Sequence, residues 1–535
     1  MTTPATLPNI RQRLILAVLL LSSLLIWMDN TILSTALETL SDPVRGLNAS
    51  PAQLQWTTGS YTLVFAALMF TAGALGDRFG HRAVLATGMT VFAASSIWAA
   101  YSADAGQLIA ARAAMGVGSA LIMPATMAIL TWTFTGPARA TAIGIASASA
   151  GVGIAAGPLI AGVLLDRFWW GSVFLVNVPA VALGLVGIAT LIPDFRSPTR
   201  RPLDLPGLAL SITGLALLAY GLIRAGQVTT WGRVDVWLPV TAGILLLATF
   251  VIVELRSAQP SFNPRLLAQR TFGGGNAAIG LLLFAMTAVG FYGAFYLQGA
   301  RGFSALQAGL ASSPGALGAI VGGPLGIRLV RRWGLRPVTV TALTIAGLAM
   351  GTFGYFGLDT SMVWYEILVL IQGLAIGLVI GSVTAALMAT LPMEQAGAGS
   401  AVTNTVRQTG SVLGIAVGGT IMSLVYSRGI ESALPGLPPD VQDRARISAE
   451  QARHVADAVG LPDLARAADD AFVHAMHVGA VWTMLIALSG AVVLAIALRP
   501  TRKTNTAEVP ADLAAGQPAS RQLVGNSRGT ASDVG

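Results

Sequence analysis

The chain has 535 residues, 54% of them hydrophobic and only 10% charged, with a net charge of +8 and no cysteine. Soluble globular chains carry about 25% charged residues, so this composition excludes a soluble enzyme and fits a helical protein that crosses a membrane many times. The missing thiols exclude disulfides and thiolate metal sites. The four histidines show no metal-ligand spacing, and the basic residues form no blocks with interleaved aromatics, which argues against nucleic acid.

Apolar runs long enough to span fall at 14–38, 53–72, 84–102, 106–131, 140–165, 173–192, 205–226, 236–255, 272–298, 305–327, 338–358, 363–390, 398–424 and 474–498. The expectation is an all-α integral membrane protein of fourteen spans. Residues 1–13 form a cytoplasmic N-terminus, 14–192 a first six-helix bundle, and 193–271 a linker with two extra spans. Residues 272–498 form a second six-helix bundle that includes an extracellular loop at 427–473, and 499–535 a disordered cytoplasmic tail. Arg11 and Arg13 before the first run resemble a signal peptide, but the run is too long for one and reads as a retained helix. Short loops on the side of the N-terminus hold Arg78, Arg82, Arg139, Arg328, Arg331, Arg332 and Arg336, while the opposite short loops are poor in positive charge. The positive-inside rule therefore places both termini in the cytoplasm, with the chain in the inner (cytoplasmic) membrane.

The first run reads LILAVLLLSSLLIWMDNTILSTAL and carries Asp29 deep inside. A carboxylate there costs about 2.5–3.5 kcal/mol on insertion scales, and such groups face a protein or water-filled interior. At helical spacing Ser22, Ser23, Asp29, Asn30 and Ser34 share one arc, the wall of a cavity. In the fourth run Arg112 lies at a matching depth, facing the same way as Gly116, Ser119 and Met123. Asp29 and Arg112 are the candidate proton-coupling pair. Candidate cavity residues are Trp27, Asn30, Met123, Phe284, Phe291, Tyr292, Phe295 and Arg407, with packing against lipid or neighbouring helices as the alternative for the aromatics.

Two stretches repeat. Asp77-Arg78-Phe79-Gly80-His81-Arg82 after the second run is echoed by Arg331-Arg332-Trp333-Gly334-Leu335-Arg336 after the tenth. The Gly-rich fifth run is echoed by TGSVLGIAVGG in the thirteenth. Both echoes fit two six-helix halves with an inserted pair between them, an arrangement that puts a transport site at the midplane between repeats.

The loop GALGDRFGHRAVL resembles the signature loop of the major facilitator superfamily at Gly73, Leu75, Asp77, Arg78, Gly80 and Arg82. The resemblance implies a gate held by charged contacts. Gly153, Gly157, Pro158 and Gly162 resemble the antiporter motif of its drug:proton exchangers. Asp-Asn-Thr-Ile-Leu at 29–33 and Arg407-Gln408-x-Gly410 resemble the fourteen-helix drug:proton antiporter family. What this implies is proton-coupled export of lipophilic or cationic toxic compounds by alternating access. A dedicated exporter of one metabolite, such as an antibiotic, siderophore or lipid, is the alternative. No HExxH or Walker-type sequence occurs, so no enzyme activity is expected. Nor is a cofactor or metal: the driving force is the proton gradient, and the partners are amphipathic small molecules, protons and lipid, with the protein monomeric.

Overall fold

The computed structural model describes residues 10–134, 136–193, 204–228, 232–257, 264–391 and 396–498. The N-terminal nine residues and the tail expected to be disordered, 499–535, lie outside them. Among the described residues the chain is helical, without a strand. Its first part consists of α1 (Ile10–Ser41), α2 (Pro51–Phe79), α3 (His81–Ala100), α4 (Ala105–Thr133), α5 (Gly136–Arg167), the single turn α6 (Ser172–Leu175) and α7 (Asn177–Leu191). An inserted pair follows, α8 (Leu205–Val228) and α9 (Val234–Arg256), then the short α10 (Pro264–Ala268). The second part runs through α11 (Arg270–Ala294), which widens into a π-helical turn at Phe295–Ala300, then α12 (Ala305–Trp333) and α13 (Leu335–Gly351) with a 3₁₀ turn at Thr352–Tyr355. It continues as α14 (Met362–Ala389), α15 (Ala396–Ile430), two short helices α16 (Pro439–Ile447) and α17 (Ala449–Val459), and α18 (Pro462–Ala497).

Twelve described helices are long and apolar enough to cross a membrane, thirteen if α2, bent by 52° near its end, is one span. The 32-residue α5 occupies the remaining expected position. Apolar side chains on α9, among them Leu238, Ile244, Leu245 and Ile252, are about half exposed or more. Such a surface suits hydrocarbon rather than water. Proline occurs inside α4, α5, α9 and α12, as membrane helices tolerate more readily than soluble ones.

The two parts repeat one packing scheme. In the first, α1 packs on α5 and α7, α2 on α4, and α3 on α4 and α7. In the second, α11 packs on α15 and α18, α12 on α14, and α13 on α14 and α18. The halves meet along two seams, α2 on α15 and α5 on α12, which exchange under the same correspondence. Local chemistry repeats as well. Ser50 caps α2 and Ser304 caps α12, each in a reciprocal capping box with a Gln three residues on. Gly80 ends α2 at φ +96° and Gly334 ends α12 at φ +87°, a conformation open to glycine but strained for other residues. The same interval separates both pairs.

The inserted pair covers one seam only. α8 lies on both α2 and α15, with Leu215 and Ala219 against Leu63 and Val412, and the Thr420 hydroxyl donates to the Leu222 carbonyl at 2.7 Å. At the face opposite the N-terminus, the expected loop at 427–473 is mostly helix. α15 continues to Ile430 and α18 begins at Pro462, leaving α16 and α17 as a cap between them. The cap reaches the first half. Gln451 Nε2 donates to Asn48 Oδ1 at 2.5 Å, and His454 lies 4.0 Å from Asp42.

Candidate functional site

Asp29 sits in the middle of α1 with no exposed surface, and Arg112 on α4 is 1% exposed. The Arg112 guanidinium donates to Asp29 Oδ2 at 2.5 Å. The other carboxylate oxygen accepts from Asn177 Nδ2 at 3.3 Å. Arg112 Nε donates to the Thr57 carbonyl at 3.3 Å, its other end meets Met115 Sδ at 3.7 Å, and its guanidinium carbon lies 4.3 Å from the centre of the Tyr61 ring. Tyr61 is fixed in turn by a 2.8 Å hydrogen bond between its hydroxyl and Ser119. A buried ion pair of this kind offsets its desolvation only when further hydrogen bonds complete it, and removing one partner alone costs about 3–5 kcal/mol.

Two neutral side chains here were not among the expected site residues: Tyr61 and Asn177. Asn177 sits near the start of the span formed by α6 and α7, where Val176 keeps helical backbone angles and its N–H bonds the Ser172 carbonyl at 3.2 Å. Pro179 falls within the first turn of α7, where its missing N–H is tolerated.

The remaining arc residues divide. Ser22 is buried and bonded to the Val18 carbonyl, whereas Ser23, Asn30 and Ser34 are half-buried, with Asn30 bonded to the Ile26 carbonyl at 3.0 Å. The carboxylate thus faces the interior of the first half, while Trp27 beside it lies toward the second. Trp27 meets Arg407 of α15, whose guanidinium carbon lies 5.6 Å from the indole centre. Met123 is half-buried on α4. Phe291 and Phe295 are buried and meet edge to face at 5.5 Å. Tyr292 turns the other way, into the second half, with Phe353 at 6.4 Å and the Thr483 hydroxyl at 3.5 Å. Phe284 lines a crevice with Tyr292, Gly418 and Trp482, among α11, α15 and α18. The structure therefore brings Trp27 and Arg407 together across the halves and places Phe284 and Tyr292 elsewhere.

The glycines of α5 sit where helices touch most closely. A Cβ on Gly153 would run into Trp27, one on Gly157 into Thr31, and one on Gly162 into the backbone of Leu306. On α12, Gly309 faces the Pro158 carbonyl equally closely. One helix is thus wedged against α1 on one side and α12 on the other, contacts that larger residues would hold apart.

The loop after α2 behaves differently from a latch between halves. Asp77 lies in the last turn of α2, not at a helix start, and pairs with His81 at 3.5 Å. Arg78 is exposed over Phe79. Arg82 donates to the Ala189 carbonyl at the end of α7 at 2.7 Å, and its counterpart Arg336 donates to the Ala495 carbonyl near the end of α18 at 3.0 Å. Each arginine caps the last helix of its own half, where the helix dipole and free carbonyls favour a cation. Gly73 has open space where a side chain would be.

Comparison with known proteins fits this arrangement. The family profile described as Major Facilitator Superfamily matches residues 19–415. The cephamycin export protein CmcT of Amycolatopsis lactamdurans is 35% identical, over 74% of this chain and 81% of its own. The methyl viologen resistance protein SmvA of Salmonella typhimurium (strain LT2) is 34% identical, over 90% and 95%, and the multidrug efflux pump LfrA of Mycolicibacterium smegmatis is 33% identical, over 90% and 96%. Among solved structures, a bacterial homologue of the human lysosomal transporter Spinster, inward-facing and unoccupied, aligns over 91% of this chain and 97% of its own. Its TM-score is 0.62 at 16% identity.

Proposed function

The chain belongs to the major facilitator superfamily, and from that premise we propose that it is a proton-coupled exporter of lipophilic, drug-like compounds, with Asp29 as the proton carrier. One observation carries this reading: an aspartate and an arginine held together, both buried, in helices of membrane length. Nothing about stability requires such a pair, since well-packed apolar residues of similar volume commonly do as well or better. Intramembrane acids of this kind mark proton relays and substrate pathways. The export direction follows the relatives, which are named as resistance and export proteins.

The geometry suggests how the two ligands are kept apart. Cargo in the gap between the halves meets Trp27 and Arg407, while the Asp29 carboxylate is turned away into the first half. Coupling then runs through α1 rather than through competition for one carboxylate. Protonation of Asp29 removes its negative charge and frees Arg112, which keeps the Thr57 carbonyl and the Tyr61 ring as partners. With the pair loosened, α1 is able to shift against the glycines of α5 and so against α12. The face of the N-terminus is the cytoplasmic one on this reading, and one proton moving inward supplies about 2.3 kcal/mol per 100 mV.

The test is transport in proteoliposomes under an imposed pH gradient. Wild-type protein accumulates a lipophilic dye against its gradient, and Asp29→Asn binds the dye but does not accumulate it. Unchanged uphill transport by Asp29→Asn refutes the assignment.

A further inference from the structure

Away from the helix ends, three charges lie deep in the described helices. Asp29 and Arg112 compensate each other inside the first half. The third, Arg407, is not compensated. Among the described residues its one contact of electrostatic character is the face of Trp27. Other described acids in the long helices lie toward their ends: Glu38 and Asp77 in the last turns of α1 and α2, Asp166 at the end of α5, Asp235 and Glu254 at the two ends of α9, Glu366 in the first turns of α14, and Asp463, Asp469 and Asp470 in the first turns of α18. A cation–π contact recovers only part of what a guanidinium loses on leaving water. The remainder is left to whatever occupies the gap between the halves.

Arg407 and Trp27 meet across the halves, and Trp27 belongs to a stretch of α1 that lies so close to α5 that Gly153 leaves no room for a side chain beside the Trp27 Cβ. A guanidinium held by an aromatic face uses no N–H donor in a hydrogen bond to it, and its fork of N–H donors matches the two oxygens of a carboxylate. The nearby carboxylate of Asp29 is bonded on both oxygens and facing away.

We propose that the gap between the halves holds a recognition site for a carboxylate on an otherwise apolar cargo, with Arg407 as its anchor and Trp27 as the stacking surface. The proposal rests on the efflux reading for the identity of the gap as the cargo site, and it narrows the substrate class. Amphiphiles with a carboxylate are preferred over amphiphiles of the same body with an ammonium group, because among the described residues the one uncompensated charge that deep is positive.

A matched pair of fluorescent probes tests it. Dansylglycine carries a carboxylate and dansylcadaverine an ammonium on the same ring system. Binding of each to purified full-length protein in nanodiscs is followed by dansyl emission, and pH-driven uptake of each is followed in proteoliposomes. Wild-type protein is expected to bind dansylglycine at least about ten-fold more tightly, a difference of about 1.4 kcal/mol. Arg407→Gln abolishes that preference while retaining dansylcadaverine binding, which shows the variant is folded. Arg407→Lys, which keeps the charge but not the fork, falls between. Equal or tighter binding of dansylcadaverine by wild-type protein, an unchanged ratio in Arg407→Gln, or binding of neither probe overturns the proposal. Failure of the efflux reading looks different: dansylglycine binds with the expected preference, but neither probe is driven uphill by the pH gradient.

Discussion

The two halves of the molecule share a helix-packing scheme and differ in what fills it. In the first half the interior is organised around an ion pair, with Asn177, Thr57 and Tyr61 completing the shell of Asp29 and Arg112. In the second it is organised around rings. Phe353 packs on Phe356 at 5.0 Å, on Tyr365 at 5.6 Å and on Tyr292 at 6.4 Å, and Tyr296 stacks on Tyr365 at 6.3 Å. Ring clusters have one low-energy packing and no second charge state, whereas an ion pair changes character when one proton arrives. The lesson is a division of labour on a duplicated frame. One half is built to change state, and the other to be a rigid partner that contributes Arg407 to the gap.

Substitutions break or sharpen that contrast. The largest effect is expected from Arg112→Ala, which strands a buried carboxylate and lowers stability by about 3–5 kcal/mol, read as the shift in the detergent thermal-unfolding midpoint. Adding Asp29→Asn restores most of that loss without restoring uphill transport. In the second half, each ring pair contributes about 0.5–1.5 kcal/mol beyond area, so Phe353→Leu costs about 2 kcal/mol in the same assay. It leaves the pH dependence of transport in place, because Phe353 carries no proton to exchange. Asn177→Leu removes a donor from a charged acceptor and costs about 1–3 kcal/mol; it slows pH-driven transport, and Asn177→Leu in the Asp29→Asn background has no further effect on transport. The smallest effect is shared by both halves. Arg82→Ala and Arg336→Ala each uncap the last helix of a half and cost about 0.5–1 kcal/mol, with matching shifts in the unfolding midpoint. A much larger loss for Arg82→Ala would mean that it holds more than its own helix end.

Much of the frame was legible because apolar run length speaks directly about membrane helices. The deep charges were legible because a membrane makes them costly, so Asp29 and Arg112 stood out from composition alone. The neutral members of the shell did not. An asparagine or tyrosine in an apolar run is ordinary. The role of Arg82 was harder, since a basic residue after a helix reads equally as anchor, latch or cap, and only the Ala189 carbonyl decides. The aromatics of α11 show the same limit. Spacing put Phe284, Phe291 and Phe295 on one face, but which neighbour each meets depends on the packing of α15 and α18.

The most direct measurement is of protons released when cargo is added to purified protein in weakly buffered solution near the pH at which Asp29 takes up its proton. The account predicts release by wild-type protein, saturating with cargo concentration, and none by Asp29→Asn although cargo still binds. Equal release from both proteins would show that the proton leaves from somewhere else and would contradict the account.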